Sequence, residues 1–262
     1  MGFLSELPVP SALLVPILAA YSKGFGVDLS EAARPLRAYA SFNDFFTREL
    51  RDGLRPLDPD PAALVSPVDG RVYASGSVDA GTILQAKGVP YRVADLLGSA
   101  DAARPFEDGT FLTCYLSPKD YHRIHWPFDA RLERVRHLPG DLWPVNDAAV
   151  AGVPRLFARN ERVAILATTS SGAAVALVPV GALNVGSIRL AFARLRTNRG
   201  GVAMPRVVAL PAAAVACRGE EAARFAFGSA VVLLVSRGAG RLDAIEPGSV
   251  VRVGRRIGTR AG

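Results

Sequence analysis

The 262 residues are half hydrophobic, and 31 basic against 24 acidic side chains give a net charge of +7. That apolar content excludes a disordered chain and supplies a sizeable core, while two cysteines exclude a disulfide framework. Cys114 and Cys217 sit in apolar contexts without metal-ligand spacing and read as small buried hydrophobes. The charge is divided: from Ala151 to the end, 16 arginines face five acidic residues, a net +11 that leaves −4 for residues 1–150. A basic half suits an anionic lipid surface or a phosphate-bearing substrate. Nucleic acid is the weaker partner, because no basic stripe interleaved with aromatics is present. A high-GC genome that favours Arg over Lys explains the same bias with no partner at all.

In chain order, "LPVPSALLVPILAAYSKGFG" opens the apolar content. No basic n-region precedes it and no cleavage site follows, so it is not read as a secretory signal. It is too short and too broken by proline to span a bilayer. It predicts a helix stopping at Gly24, either docked on the core or lying in a membrane interface. "DLSEAARPLRAYA" predicts a second helix, capped by Asp28 or Ser30 with Glu31 in its first turn. "SFNDFFTREL" predicts a short third one, capped by Ser41 with Asp44 three residues on. "RDGLRPLDPDPAA" is a loop.

From Leu64 the texture changes to short apolar runs separated by turn residues, which predicts a sandwich or barrel. "VADLLG" from Val93 is the one obvious helical insertion. "ARFAFGSAVVLLV", residues 223–235, reads mostly as one buried strand interrupted by Gly228-Ser229. Such a glycine marks a bulge or a close backbone approach, and a serine among apolar residues needs a partner or a task.

Histidine is scarce: His122, His125 and His137. Two lie in "SPKDYHRIHWPFDARL". As a metal pair they lack a third ligand at a recognised spacing. As acid–base groups they titrate near neutrality. Three positions apart on an extended segment they face opposite sides, so one site takes both only if the backbone turns, which Pro118 and Pro127 favour. Asp69 in "SPVDGRV" reads as a turn aspartate, and "LPGDLWPVN" offers a similar turn with Asp141, Trp143 and Asn146.

Taken together and in order, "SPVDGRV", "YHRIHWP", "LPGDLWPVN", "VGALNVGSI" and "RGEEAARFAFGSAVVLL", with "FNDFFTREL" near the N-terminus, resemble the phosphatidylserine decarboxylases. The resemblance runs from about Phe42 to the C-terminus. It implies an α+β fold, a helical N-terminal segment followed by a β-rich, mainly antiparallel catalytic core. The corresponding division is a membrane-interface segment over 1–50 and a catalytic domain over 51–262. It also implies that the chain cuts itself at Gly228–Ser229 into a large chain, 1–228, and a small chain, 229–262. The new N-terminal Ser229 becomes a covalent pyruvoyl cofactor.

A serine hydroxyl needs a base to become a nucleophile. By position-wise match, His125 is that base and Asp69 its orienter, the logic of a hydrolase triad. The resemblance implies a Schiff base between pyruvoyl and the substrate amine, loss of CO2 to give phosphatidylethanolamine, and no metal. His122 is the candidate for returning the proton and ordering the carboxylate. The implied setting is peripheral on the cytoplasmic face of the cell membrane, as a large/small-chain heterodimer or a dimer of these, with an anionic phospholipid as partner and no nucleic acid. Ala230 departs from the family's usual Ser or Thr and bears on the rate of processing. Glu220 and Glu221 keep the family's pattern and either hold the chain entering the cut or form a solvated turn. Two alternatives stand beside this reading: a serine hydrolase using Ser229, His125 and Asp69, and a lipid-binding relative that no longer processes itself.

Overall fold

The computed structural model describes residues 4–85, 88–183, 187–198, 204–212, 214–226 and 229–261. The chain begins with α1 (Ser11–Phe25). Its apolar residues divide between two faces. Leu14 and Leu18 are buried with Val27, Tyr39 and Phe45, while Leu13, Ile17 and Phe25 stand exposed. The helix runs past Gly24 and stops at Gly26, whose φ of 74° is the left-handed cap that glycine supplies most cheaply. The expected second helix is two short 3-10 turns, Leu29–Glu31 and Leu36–Ala38. Pro35 between them pushes Arg34 out of helical backbone. Asp28 does cap the first turn, accepting from Ser30 N at 2.9 Å. Helix α2 (Phe42–Phe46) is capped as its sequence predicts, Ser41 Oγ accepting from Asp44 N at 3.1 Å. No described helix is long and apolar enough to cross a membrane.

The body is strands β1 (Ala63–Val65), β2 (Gly70–Ser77), β3 (Thr82–Leu84), β4 (Pro90–Arg92), β5 (Thr110–Leu116), β6 (Arg123–His125), β7 (Ala130–Leu138), β8 (Arg162–Thr168) and β9 (Ala174–Val180). They continue as β10 (Ile188–Leu190), β11 (Arg206–Val208), β12 (Val215–Ala216), β13 (Glu221–Phe225), β14 (Ser229–Val235), β15 (Gly240–Leu242), β16 (Val250–Val251) and β17 (Arg256–Arg260). Beside the expected α3 (Val93–Leu97), three further short helices occur: α4 (Ala100–Ala103), α5 (Asp147–Gly152) and α6 (Leu156–Arg159). Each is only four to six residues long, too short for its periodicity to show in the sequence.

The main sheet has the order β11-β7-β8-β9-β14-β5-β2-β16, with β12 also on β7, and its named strand pairs are all antiparallel. One face packs Val231, Leu233 and Val235 of β14 against Leu64 and Ile257 of the β1-β17-β15 sheet and Ile124, Ile188 and Phe225 of the β10-β13-β6 sheet. The other packs Ala230, Val232 and Leu234 against Val93, Leu96, Leu97, Val150 and Phe157 of the helices. Burial on both faces is why β14 is a continuous apolar run and not an alternating one. The fold is α+β, with a mainly antiparallel β body behind N-terminal helices.

The stretch 223–235 is not one interrupted strand. β13 and β14 belong to different sheets, and the chain changes sheet between them. Phe227 and Gly228, where the Gly-Ser motif begins, lie outside the described residues. Cys114 is buried as expected, but Cys217 is exposed, because it sits at the turn between β12 and β13 and not within a strand.

Candidate active site

The sheet crossing brings three segments to one end of the main sheet. β14 begins with Ser229, which pairs with Leu116, the last residue of β5. Next to it, β2 begins with Gly70, and Arg71 pairs with Tyr115. A Cβ on Gly70 would stand 2.5 Å from the Tyr115 carbonyl oxygen, so this close approach demands glycine after Asp69. The chain leaving β5 turns through residues 117–122 into β6, so that His122 ends the turn and His125 ends the strand. β6 pairs with β13, and Phe225 N donates to the His122 carbonyl at 3.0 Å, four positions ahead of Ser229.

His125 is half-buried, with both ring nitrogens engaged. Nδ1 donates to the Gly219 carbonyl at 2.8 Å, and Nε2 accepts from the Tyr121 hydroxyl at 3.1 Å. Those partners specify the tautomer with its lone pair on Nε2. Burial pushes the His125 pKa down, and the Gly219 bond and the nearby Glu221 and Asp69 charges act against that. Burial pushes the Tyr121 phenol up to about 12, so it holds its proton near neutrality. Gly219 has φ +84° and sits against Leu57, a left-handed turn that aims its carbonyl at the ring.

Asp69 is not bonded to His125. Its carboxylate accepts from Val253 N at 2.8 Å and from Arg55, Nε at 2.9 Å and Nη2 at 2.5 Å. Arg55 also grips Glu31, Nη2 to Oε2 at 2.8 Å, making a partly buried carboxylate–guanidinium–carboxylate bridge between the N-terminal segment and the sheet. Asp69 is therefore not the Asx-turn residue its P-x-D-G context suggests. Its acceptors are turned toward distant chain.

His122 has a different environment from His125. It is fully buried, its ring centroid 4.0 Å from that of Phe46 on α2, and its Nδ1 donates to the Asp120 carbonyl at 2.8 Å. Its Nε2 is buried and has no hydrogen-bond partner among the described residues. Burial pushes its pKa down to about 3, so the ring is neutral near pH 7, able to accept a hydrogen bond but carrying no spare proton.

Other singled-out residues make contacts within the fold. Asp141 accepts from Trp143 Nε1 and Arg159, and Asn146 caps α5 through Ala149 N. His137 pairs with Glu161 at 2.9 Å. Glu221 binds Arg123 and Arg224 and so fastens β13 to β6, whereas Glu220 is exposed in the turn before it. Asn184 of "VGALNVGSI" lies outside the described residues. Sequence reasoning missed Arg55, Tyr121 and Gly219. Arg55 sat in a stretch read only as loop, and Gly219 contributes a carbonyl that every residue type carries.

Beside these groups lies a cavity of about 600 Å³ lined by Arg48, Asp69, Tyr115, Lys119 and Tyr121, within the size range of small-molecule sites. An oriented imidazole, an unsatisfied buried one and a charged cavity lie near one sheet end of an antiparallel β scaffold, an arrangement able to support acid–base chemistry. The family model of phosphatidylserine decarboxylase matches residues 42–259. Among curated proteins, phosphatidylserine decarboxylase proenzymes are similar: that of Acidovorax ebreus is 47% identical, covering 95% of this chain and 88% of its own. That of Xanthomonas euvesicatoria is 45% identical over 91% and 86%, and that of Myxococcus xanthus 40% identical over 98% and 91%. The chain belongs to the phosphatidylserine decarboxylase family. It is a carboxy-lyase of phospholipid biosynthesis, acting on phosphatidylserine.

Proposed function

We propose that the chain is made as a proenzyme, cuts itself between Gly228 and Ser229, and uses the resulting N-terminal pyruvoyl group to convert phosphatidylserine to phosphatidylethanolamine. The observation that carries this is topological: Ser229 heads a strand at the sheet end where β2 delivers Asp69, and β6 and the turn into it deliver His125 and His122. For the cut, the Ser229 hydroxyl attacks the Gly228 carbonyl as its proton goes to His125 Nε2; the Gly228–Ser229 C–N bond breaks to leave an ester, β-elimination releases the Gly228 carboxylate, and hydrolysis of the dehydroalanine left at position 229 gives the pyruvoyl group and ammonia. The Gly219 carbonyl fills the orienting role the resemblance gave to Asp69, and the Tyr121 hydroxyl must yield Nε2 as the serine engages it. Asp69 contributes its charge, which favours the imidazolium that forms.

The unsatisfied Nε2 of buried His122 fits a site that receives a polar group once processing is complete. The pyruvoyl keto function supplies the electron sink that lets CO2 leave. His122, neutral by burial, accepts a hydrogen bond at Nε2 and returns a proton to carbon only after taking one up there, a narrower role than a resting acid. Residues 1–50 form the docking segment and 51–262 the catalytic unit, held at a membrane surface on its cytoplasmic face. Leu13, Ile17 and Phe25 of α1 are the exposed apolar residues that suit such a surface.

Intact mass after purification tests the cut. Wild type yields a 34-residue fragment whose N-terminus is blocked by a keto acid. His125→Gln, lacking the base, cuts slower by about 10²–10⁴ and remains mostly one chain. An uncut wild type labelled at Ser229 by a serine-directed probe supports a hydrolase instead. Equal cutting in His125→Gln removes His125 from the mechanism.

A further inference from the structure

Arg48, just beyond α2, is 3% exposed. Its Nη2 donates to the carbonyls of Lys119 at 3.0 Å and Asp120 at 3.5 Å, and its guanidinium lies 5.3 Å from the Phe45 ring centroid. Its Nε and Nη1 are buried and have no hydrogen-bond partner among the described residues. A buried guanidinium normally carries a carboxylate, because the desolvated charge is otherwise costly. Among the described residues no carboxylate forms a salt bridge with Arg48, although Asp28, Glu31, Asp69 and Asp120 line the cavity beside it; Asp28 is exposed and accepts from Ser30 N and Oγ. Glu31 and Asp69 are held by Arg55, and Asp120 accepts from Ser117 N and Oγ. Lys119, exposed on the same cavity, is also without a salt-bridge partner among the described residues.

We infer that Arg48, assisted by Lys119, is the subsite for the phosphodiester of the lipid headgroup. The inference rests on the proposed phospholipid reaction. The headgroup offers two anions, and the chemistry chooses between them. The carboxylate must lose its charge as CO2 departs, so a guanidinium clamped on it would stabilise the ground state against reaction. The phosphodiester stays anionic throughout and is bound equally before and during the reaction. Arg48 also shares the Asp120 carbonyl with His122 Nδ1, so a phosphate held at Arg48 keeps the rest of the headgroup beside His122.

Uniform binding of this kind alters KM and leaves kcat nearly unchanged. The test compares wild type, Arg48→Met, Arg48→Lys and Lys119→Met as purified, self-processed enzymes on phosphatidylserine in mixed micelles. Glycerophosphocholine, which carries the diester but no primary amine, and inorganic phosphate serve as competing probes. Arg48→Met still yields the 34-residue fragment, and both its KM and its inhibition constant for glycerophosphocholine rise at least about tenfold, the scale of a lost charged hydrogen bond. Its kcat changes less than about threefold. Arg48→Lys recovers part of the loss, and Lys119→Met shows a smaller rise in the same two constants. On wild type the diester competes better than inorganic phosphate. Processed Arg48→Met with both constants unchanged overturns the subsite, as does inorganic phosphate competing as well as the diester, which makes it a general anion site. Should Arg48→Met fail to fold, unchanged constants in Lys119→Met overturn it equally. Failure of the underlying reading is separate: wild type stays uncut, and diester binding is then read by calorimetry on that uncut chain.

Discussion

At the scale of single residues, the site is governed by burial. His122 has a folded-state pKa of about 3 against an ordinary 6.5. Between those values the unfolded chain binds a proton that the folded chain refuses, so stability rises with pH across the window and is lost as pH falls from about 6.5 toward about 3. The slope from this one group is at most about 1.4 kcal/mol per pH unit. Urea unfolding of wild type at a series of pH values will show it, and His122→Gln, which cannot titrate, will have a slope near pH 5 shallower by up to that amount. Identical slopes would mean that His122 is not buried neutral. The proposed carriers of chemistry, Asp69, His122, His125 and Ser229, stood out in the sequence because those residue types fall in ordered, distinctive motifs. Their partners did not. Gly219 acts through a backbone carbonyl, and Arg55 reaches Asp69 across 14 positions that include a proline-rich loop and β1, a contact only the folded chain makes.

At the scale of elements, α1 divides its apolar residues between the core and the outside, and the two groups should respond differently to substitution. Leu18 is fully buried among Leu14, Val27, Tyr39 and Phe45. Leu18→Ala should destabilise the N-terminal layer by about 2–5 kcal/mol, read by denaturant unfolding or local hydrogen exchange. Leu13→Ser with Ile17→Ser, both exposed, should leave stability within about 0.5 kcal/mol and weaken sedimentation with anionic vesicles. Equal vesicle binding would remove α1 from membrane docking. The helix itself was readable from composition; of its two open readings, docking on the core is met by Leu14 and Leu18, while Leu13 and Ile17 stay exposed. Its end was misplaced by two residues, because Gly24 and Gly26 offer the same signal and only the left-handed φ of Gly26 distinguishes them. The β13–β14 division was invisible for a similar reason. Both strands are apolar, and no local pattern reports a change of sheet.

At the scale of the whole molecule, the consequence of a cut lies in the sheet. A break before Ser229 leaves β14 to β17 on the small chain. β14 is paired along its length with β5 on one side and β9 on the other, β16 with β2, and β17 with β1. The two chains should therefore co-elute as one species in native size exclusion and separate only in denaturant. Release of the small chain under native conditions would contradict this sheet order. The division of charge between the halves was plain in the sequence, but that β14 runs inside the main sheet while β17 lies between β1 and β15 was not, since strand order depends on pairings distant along the chain.

The most direct measurement is the intact mass of freshly purified wild type under denaturing conditions. The account predicts two polypeptides meeting at 228/229, the smaller with a keto-acid N-terminus, in protein that releases CO2 from phosphatidylserine. A single 262-residue chain that decarboxylates the lipid all the same would contradict it.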